Sequence, residues 1–119
     1  MKKVNILKKN EDFNRIIQNG RAYKYKDYII YKENTIEEKY HFGISVGKKV
    51  GNAVTRNKIK RQIKSIIDKL PIKNNCNCIL IIRKSILEKK YSQMEMELKQ
   101  ALENVKVLEE NKWKRKKWY

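Results

Sequence analysis

Seven basic side chains (Lys48, Lys49, Arg56, Lys58, Lys60, Arg61 and Lys64) lie within residues 48–64, KKVGNAVTRNKIKRQIK, and no acidic one does. Helical geometry orders them. At about 100° per residue, Ile59, Ile63, Ile66, Ile67 and Leu70 fall within one apolar arc roughly 100° wide. Arg56, Asn57, Lys60, Arg61 and Lys64 fall on the adjoining arc. A helix here buries the isoleucines and presents cations with one amide among them. Cations near a helix N-terminus oppose the macrodipole by a few tenths of a kcal/mol each, so folding alone gives no reason for them. A polyanion lying across the helix does. A merely solvated face would mix signs to support i,i+4 pairs, yet Asp68, near the far end, is the one acid this helix offers. The chemistry is phosphate neutralisation.

The whole chain agrees. At 119 residues it is expected to form a single domain, 1–119, with 30 Lys and Arg against 13 acids and a net charge of +17. Such a charge repels itself in the compact state and favours RNA, DNA or an anionic membrane as partner. Lysine richness suggests an A/T-rich genome, so some lysines are there by default. Two of the six arginines nevertheless sit in the basic helix, where guanidinium geometry matters. No window approaches a membrane span. The charged N-terminus does not form a signal-peptide core, and a cytoplasmic location is expected. Cys76 and Cys78, the only cysteines, suit neither an unstrained disulfide nor a zinc site with the distant His41. They read as small buried hydrophobes in a reducing compartment.

The remaining elements follow from periodicity. Asn10 is the expected N-cap of a short helix of about ten residues, with Glu11 and Asp12 in its first turn, Phe13, Ile16 and Ile17 on one face and Gly20 as its stop. Residues 22–33 read as strand. Unbroken, it points Tyr23, Tyr25, Ile29 and Tyr31 to one face; a break near Asp27 splits it in two. Residues 40–47 alternate, with Tyr40, Phe42, Ile44 and Val46 on one side. His41, Gly43, Ser45 and Gly47 on the other leave room for a close approach to the backbone. The basic helix is expected to run to Leu70, before Pro71. The apolar run 78–82 suggests a strand buried on both faces and, across the helix, parallel to its predecessor. Ser92 to Glu95 resembles a capping box with a Tyr91–Met96 staple. It opens a last helix lined by Met94, Leu98, Ala101, Leu102, Val105 and Leu108. Residues 92–110 hold five glutamates against two lysines, so this helix is expected to face away from a polyanion. The basic tail 111–119, with Trp113 and Trp118, is expected to fray when free and to adhere to RNA.

Nothing resembles a protein active site. A protein nuclease wants clustered carboxylates for Mg²⁺ or an acid–base pair. Glu11 and Asp12 are more simply helix N-terminal charges, and His41 a strand-surface residue. GKKVG lacks the P-loop spacing and its Lys-Ser/Thr ending. The aromatics offer more. Phe13 and Tyr31 could stack on unpaired bases, at about 1–3 kcal/mol per base, or could simply pack helix on sheet.

Taken together, Arg56-Asn57-x-x-Lys60-Arg61, the preceding Lys48-Lys49-Val50-Gly51-Asn52-Ala53-Val54 and the opening Leu7-Lys8-Lys9-Asn10-Glu11-Asp12-Phe13 with Gly20 resemble the bacterial ribonuclease P protein component. Element order agrees over roughly residues 5–108. The resemblance implies an α/β (α+β) two-layer sandwich, αβββαβα. It has a mixed sheet of about four strands and a left-handed βαβ crossover, like the second domain of ribosomal protein S5. It implies an accessory subunit of an endoribonuclease whose catalytic centre is RNA, with Mg²⁺ bound mainly by that RNA. The implied partners are ribonuclease P RNA and precursor tRNA, with no membrane and no obligate protein partner evident. Carried over by position, Lys48, Lys49, Asn52, Arg56, Asn57, Lys60, Arg61 and Lys64 would bind the RNA subunit. Phe13, Ile17 and Tyr31 would line a cleft for the single-stranded 5′ leader. At Ile17 the family often has a second aromatic; isoleucine offers an apolar contact without a π face. A ribosomal or other structural RNA-binding protein is the alternative reading, and a metal-dependent nuclease a further one.

Overall fold

A computed structural model describes residues 5–7 and 9–109. The first four residues of the charged N-terminus, Lys8 and the tail with Trp113 and Trp118 lie outside the described residues. The elements are α1 (Asn10–Asn19), β1 (Tyr23–Tyr25), β2 (Tyr28–Asn34), β3 (Tyr40–Val46), α2 (Ala53–Asp68), β4 (Cys76–Ile82) and α3 (Tyr91–Asn104). A short 3-10 turn, Lys84–Glu88, precedes α3. The strands lie in the order β1-β2-β4-β3. β4 runs parallel to β3 across the α2 crossover and antiparallel to β2.

The chain does break at Asp27, and the break reassigns the tyrosines. Lys26, in the left-handed region at φ 52°, turns the chain within two residues. Tyr25 therefore lies opposite Tyr28, and Tyr23 opposite Ile30. Cross-strand partners share a face, so Tyr23 and Tyr25 join Tyr28 and Ile30 on the core side. Ile29 and Tyr31 point the other way. The expectation of one face for Tyr23, Tyr25, Ile29 and Tyr31 fails because an intervening turn resets parity.

On the core side, α2 and α3 cover Phe42, Val46, Cys78, Leu80 and Ile82. Ile63, Ile66 and Ile67 of α2 are fully buried, each worth roughly 1.5–3 kcal/mol. The Asn52 side chain caps α2 by accepting from Thr55 N–H at 2.9 Å. The helix closes at Asp68, with Lys69 as its cap rather than Leu70. Cys76 and Cys78 are buried free thiols. The neighbouring Cys76 thiol and burial push Cys78 well above the ordinary thiol range, which keeps it protonated and inert.

Helix ends depart from expectation by a residue or two. Asn10 is already helical, and Lys9 precedes it without a side-chain cap. The box at α3 is set by Lys90, whose N–H donates to the Gln93 side chain at 3.3 Å. The Tyr91–Met96 staple is absent: Met96 is exposed, while Tyr91 bonds Ser65 and Lys69 of α2. Val105 caps α3, and Leu108 instead bridges to Ile72. Beneath α3, the buried Glu97 accepts from Lys89 at 2.8 Å, and Tyr28 donates its hydroxyl to the Met94 carbonyl. None of the described helices is long and apolar enough to cross a membrane.

Candidate nucleic-acid interface

α1 lies alone across the opposite face of the sheet, and register lays out what it covers. Three cross-strand rows face it: Glu33–Asn77–His41, Tyr31–Ile79–Gly43 and Ile29–Ile81–Ser45. Lys24 of β1 extends the third. The side chain of Ile16 is buried. Phe13 sits on Gly43, so closely that any side chain at 43 would collide with its ring. The room anticipated beside the small residues of β3 is therefore used by the protein's own phenylalanine. At the far end, Gly20 N–H bonds the Ile16 carbonyl at 2.9 Å. A Cβ there would stand 2.8 Å from that same oxygen, and Tyr31 is close by. Gly20 thus ends α1 by close approach, not by left-handed backbone.

Phe13, Ile17 and Tyr31 all lie on this side and all are half-buried. Their rings and methyls are neither sealed nor free. The third row is likewise half-buried, so Ile29, Ile81 and Ser45, with exposed Lys24, continue the apolar floor. Sequence parity alone missed Ile81, because nothing in β4 marks which of its two buried-looking faces is the incomplete one.

One flank of α1 is polar. Arg15 reaches Glu33 through two parallel bonds of 3.0 Å and Asp12 at 2.8 Å. Asn77 donates to Glu33 at 3.0 Å, and its carbonyl oxygen lies 2.9 Å from His41 Nδ1. With the amide so oriented, Nδ1 carries the imidazole proton. The Arg15 guanidinium holds the Glu33 carboxyl below its ordinary 4.5; burial opposes this and the Asn77 bond assists it. A carboxyl depressed on folding contributes stability above its unfolded pKa and loses it as pH falls through the folded value. Glu33→Gln should therefore lower the melting temperature most above the ordinary carboxylate range, with the gap to the parent closing as pH falls below that range. Paired thermal melts across that range check it.

The basic helix stands on the other side of the sheet, with its isoleucines inward. Asn57, Lys58 and Arg61 are exposed, while Arg56, Lys60 and Lys64 are half-buried on its flanks. Lys48, Lys49 and Asn52 are exposed in the connection from β3, which buried Val50 anchors. Ion pairs among the described residues form at Arg15, Lys69 and Lys89, and none of the seven cations of 48–64 joins them. Among the described residues, Arg56 Nε is buried without a hydrogen-bond partner. That connection links the floor strand of the α1 cleft directly to the cationic helix.

Residues 1–106 match the family model for ribonuclease P. A Mycoplasma capricolum ribonuclease P protein component is 39% identical over 114 residues, covering 89% of this chain and all of the relative. A Streptococcus pyogenes ribonuclease P protein component is 35% identical, with 92% of each chain covered. Among solved structures, a Staphylococcus aureus RNase P protein mutant with defective mRNA degradation activity superposes with a TM-score of 0.82. It shares 36% identity, covering 89% of this chain and 92% of that one. Sharing its fold and more than a third of its residues with such proteins along nearly the whole length, the chain belongs to the ribonuclease P protein family.

Proposed function

We propose that this chain is the non-catalytic protein subunit of a ribonuclease P that removes the 5′ leader of precursor tRNA in the cytoplasm. The observation that carries this reading is the cationic face of α2, which forms no ion pair among the described residues, joined through Lys48 and Lys49 to a half-open apolar cleft under α1. In this reading Lys48, Lys49, Asn52, Arg56, Asn57, Lys60, Arg61 and Lys64 bind the catalytic RNA. Phosphate oxygens of that RNA would pair with the accessible part of the Arg56 guanidinium. Phe13, Ile17 and Tyr31 hold the unpaired leader, with Ile29 and Ile81 beneath it. Stacking needs a π face and tolerates any base, which suits a leader of varied sequence. Among the described residues no group of three His, Cys, Asp or Glu side chains is placed to hold a metal ion. By its likeness to the ribonuclease P family we assign Mg²⁺ to the RNA, where it would activate the attacking water and stabilise the leaving oxygen. The protein's part is to neutralise phosphates and to orient the substrate.

Precursor tRNA assayed with protein alone, RNA alone and both together tests this. Protein alone should not cleave. Adding it to the cognate RNA should accelerate cleavage at the mature 5′ end when Mg²⁺ is low. Cleavage by an RNA-free preparation would identify a protein nuclease. RNA binding without acceleration would identify a structural RNA-binding protein.

A further inference from the structure

α1 packs on the sheet through buried Ile16, with Phe13 and Ile17 half-buried beside it. It has one buried side chain, Ile16, and no side-chain cap at its N-terminus. The polar chain on its flank adds directional ties to that apolar packing. Arg15 comes from α1, Glu33 from β2, Asn77 from β4 and His41 from β3, so one run of hydrogen bonds ties the helix to three strands in succession. The three strand members are set by the sheet ladder, and the Arg15–Glu33 fork is planar and two-point. It thus constrains both the height and the rotation of α1. Helical spacing puts Asp12 and Arg15 on one side of Ile16, and Phe13 and Ile17 on the other. Rotating α1 at the fork moves Phe13 on Gly43.

We infer that the Arg15–Glu33–Asn77–His41 chain is a positioning device that sets where Phe13 stands and hence the width of the cleft on the opposite flank of α1. The inference rests on the leader reading above for its functional consequence, but not for its geometry. Arg15 and Glu33 are positioning residues: they act through Phe13 and need not touch RNA.

Two readouts on the full-length chain test it. Because the Phe13 ring lies against Gly43, the Gly43 backbone resonances carry a ring-current shift in the free protein. Arg15→Ala and Glu33→Gln should each move those resonances toward unshifted values, and Arg15→Lys, which keeps the charge but not the fork, should move them less. In the reconstituted ribonucleoprotein the same two variants should weaken binding of leader-bearing precursor tRNA by about threefold to fivefold, the scale of a half-exposed ion pair. Mature tRNA and RNA-subunit binding should stay as in the parent. Combined with Phe13→Leu, Arg15→Ala should add little further loss. Unmoved Gly43 resonances overturn the inference, as do fully additive losses, which would make Arg15 a direct RNA contact. Should Phe13→Leu alone fail to distinguish precursor from mature tRNA, the leader reading falls, while the Gly43 shift still decides whether the fork positions the ring.

Discussion

Replacing Arg56, Lys60, Arg61 and Lys64 together by alanine is expected to lower the log–log salt slope of RNA-subunit binding by about three to four units, with each single replacement accounting for roughly one. Affinity at moderate salt should fall by a factor on the order of a hundred or more, because each lost phosphate contact forfeits the release of a counterion. Stability should respond weakly. The four lie outside the buried isoleucine stripe and none pairs with an acid among the described residues, so each substitution should cost no more than about 0.5 kcal/mol. Arg56 is the informative single site. Its Nε is buried without a partner among the described residues, so removing it relieves a desolvated donor in the free protein while deleting a contact in the complex. Arg56→Lys should restore part of the slope but less of the affinity, since an ammonium cannot fork onto a phosphate. A large stability loss with an unaltered slope would mean that this arc is buried structure.

The basic helix was legible from sequence because one element carries the whole signal. Its apolar stripe, cation arc and terminating proline all fall within twenty or so residues, and a 3.6-residue period needs no tertiary information. Strand faces were less legible. The side of the sheet on which Tyr23 and Tyr25 stand depends on the two-residue turn at Lys26, where a non-glycine residue adopts positive φ without advertising it. The capping of α1 and α3 by lysines was equally hidden, because those lysines cap by backbone geometry and not by a side chain that a motif would reveal. Least legible was the polar chain. Glu33 and Arg15 are 18 residues apart, Asn77 and Glu33 44, and in the sequence each alone is an ordinary polar residue. Only the register of β2 on β4 and β3 on β4 brings them into one row.

Phe13→Leu is the sharpest test of the cleft, because it keeps apolar bulk and removes the π surface. If an unpaired leader base stacks there, precursor tRNA binding should weaken by about 1–2 kcal/mol, within the range for one stacked base. Mature tRNA, lacking the leader, should bind as before. The competing account is that Phe13 serves only to hold α1 on the sheet, and its contact with Gly43 gives that account substance. The two differ in what else moves. A packing role predicts an earlier melt and equal losses for both ligands; a stacking role predicts a loss confined to the ligand with a leader. Gly43→Ala separates them further. Its Cβ would drive the ring off its seat while leaving the π surface in place. If the seated ring is what the leader meets, Gly43→Ala should reproduce the selective loss of precursor binding despite an intact phenylalanine. Tyr31→Phe, by contrast, should retain most binding, since the ring face persists and only the hydroxyl is lost. Equal weakening of precursor and mature tRNA by Phe13→Leu would return Phe13 to the core.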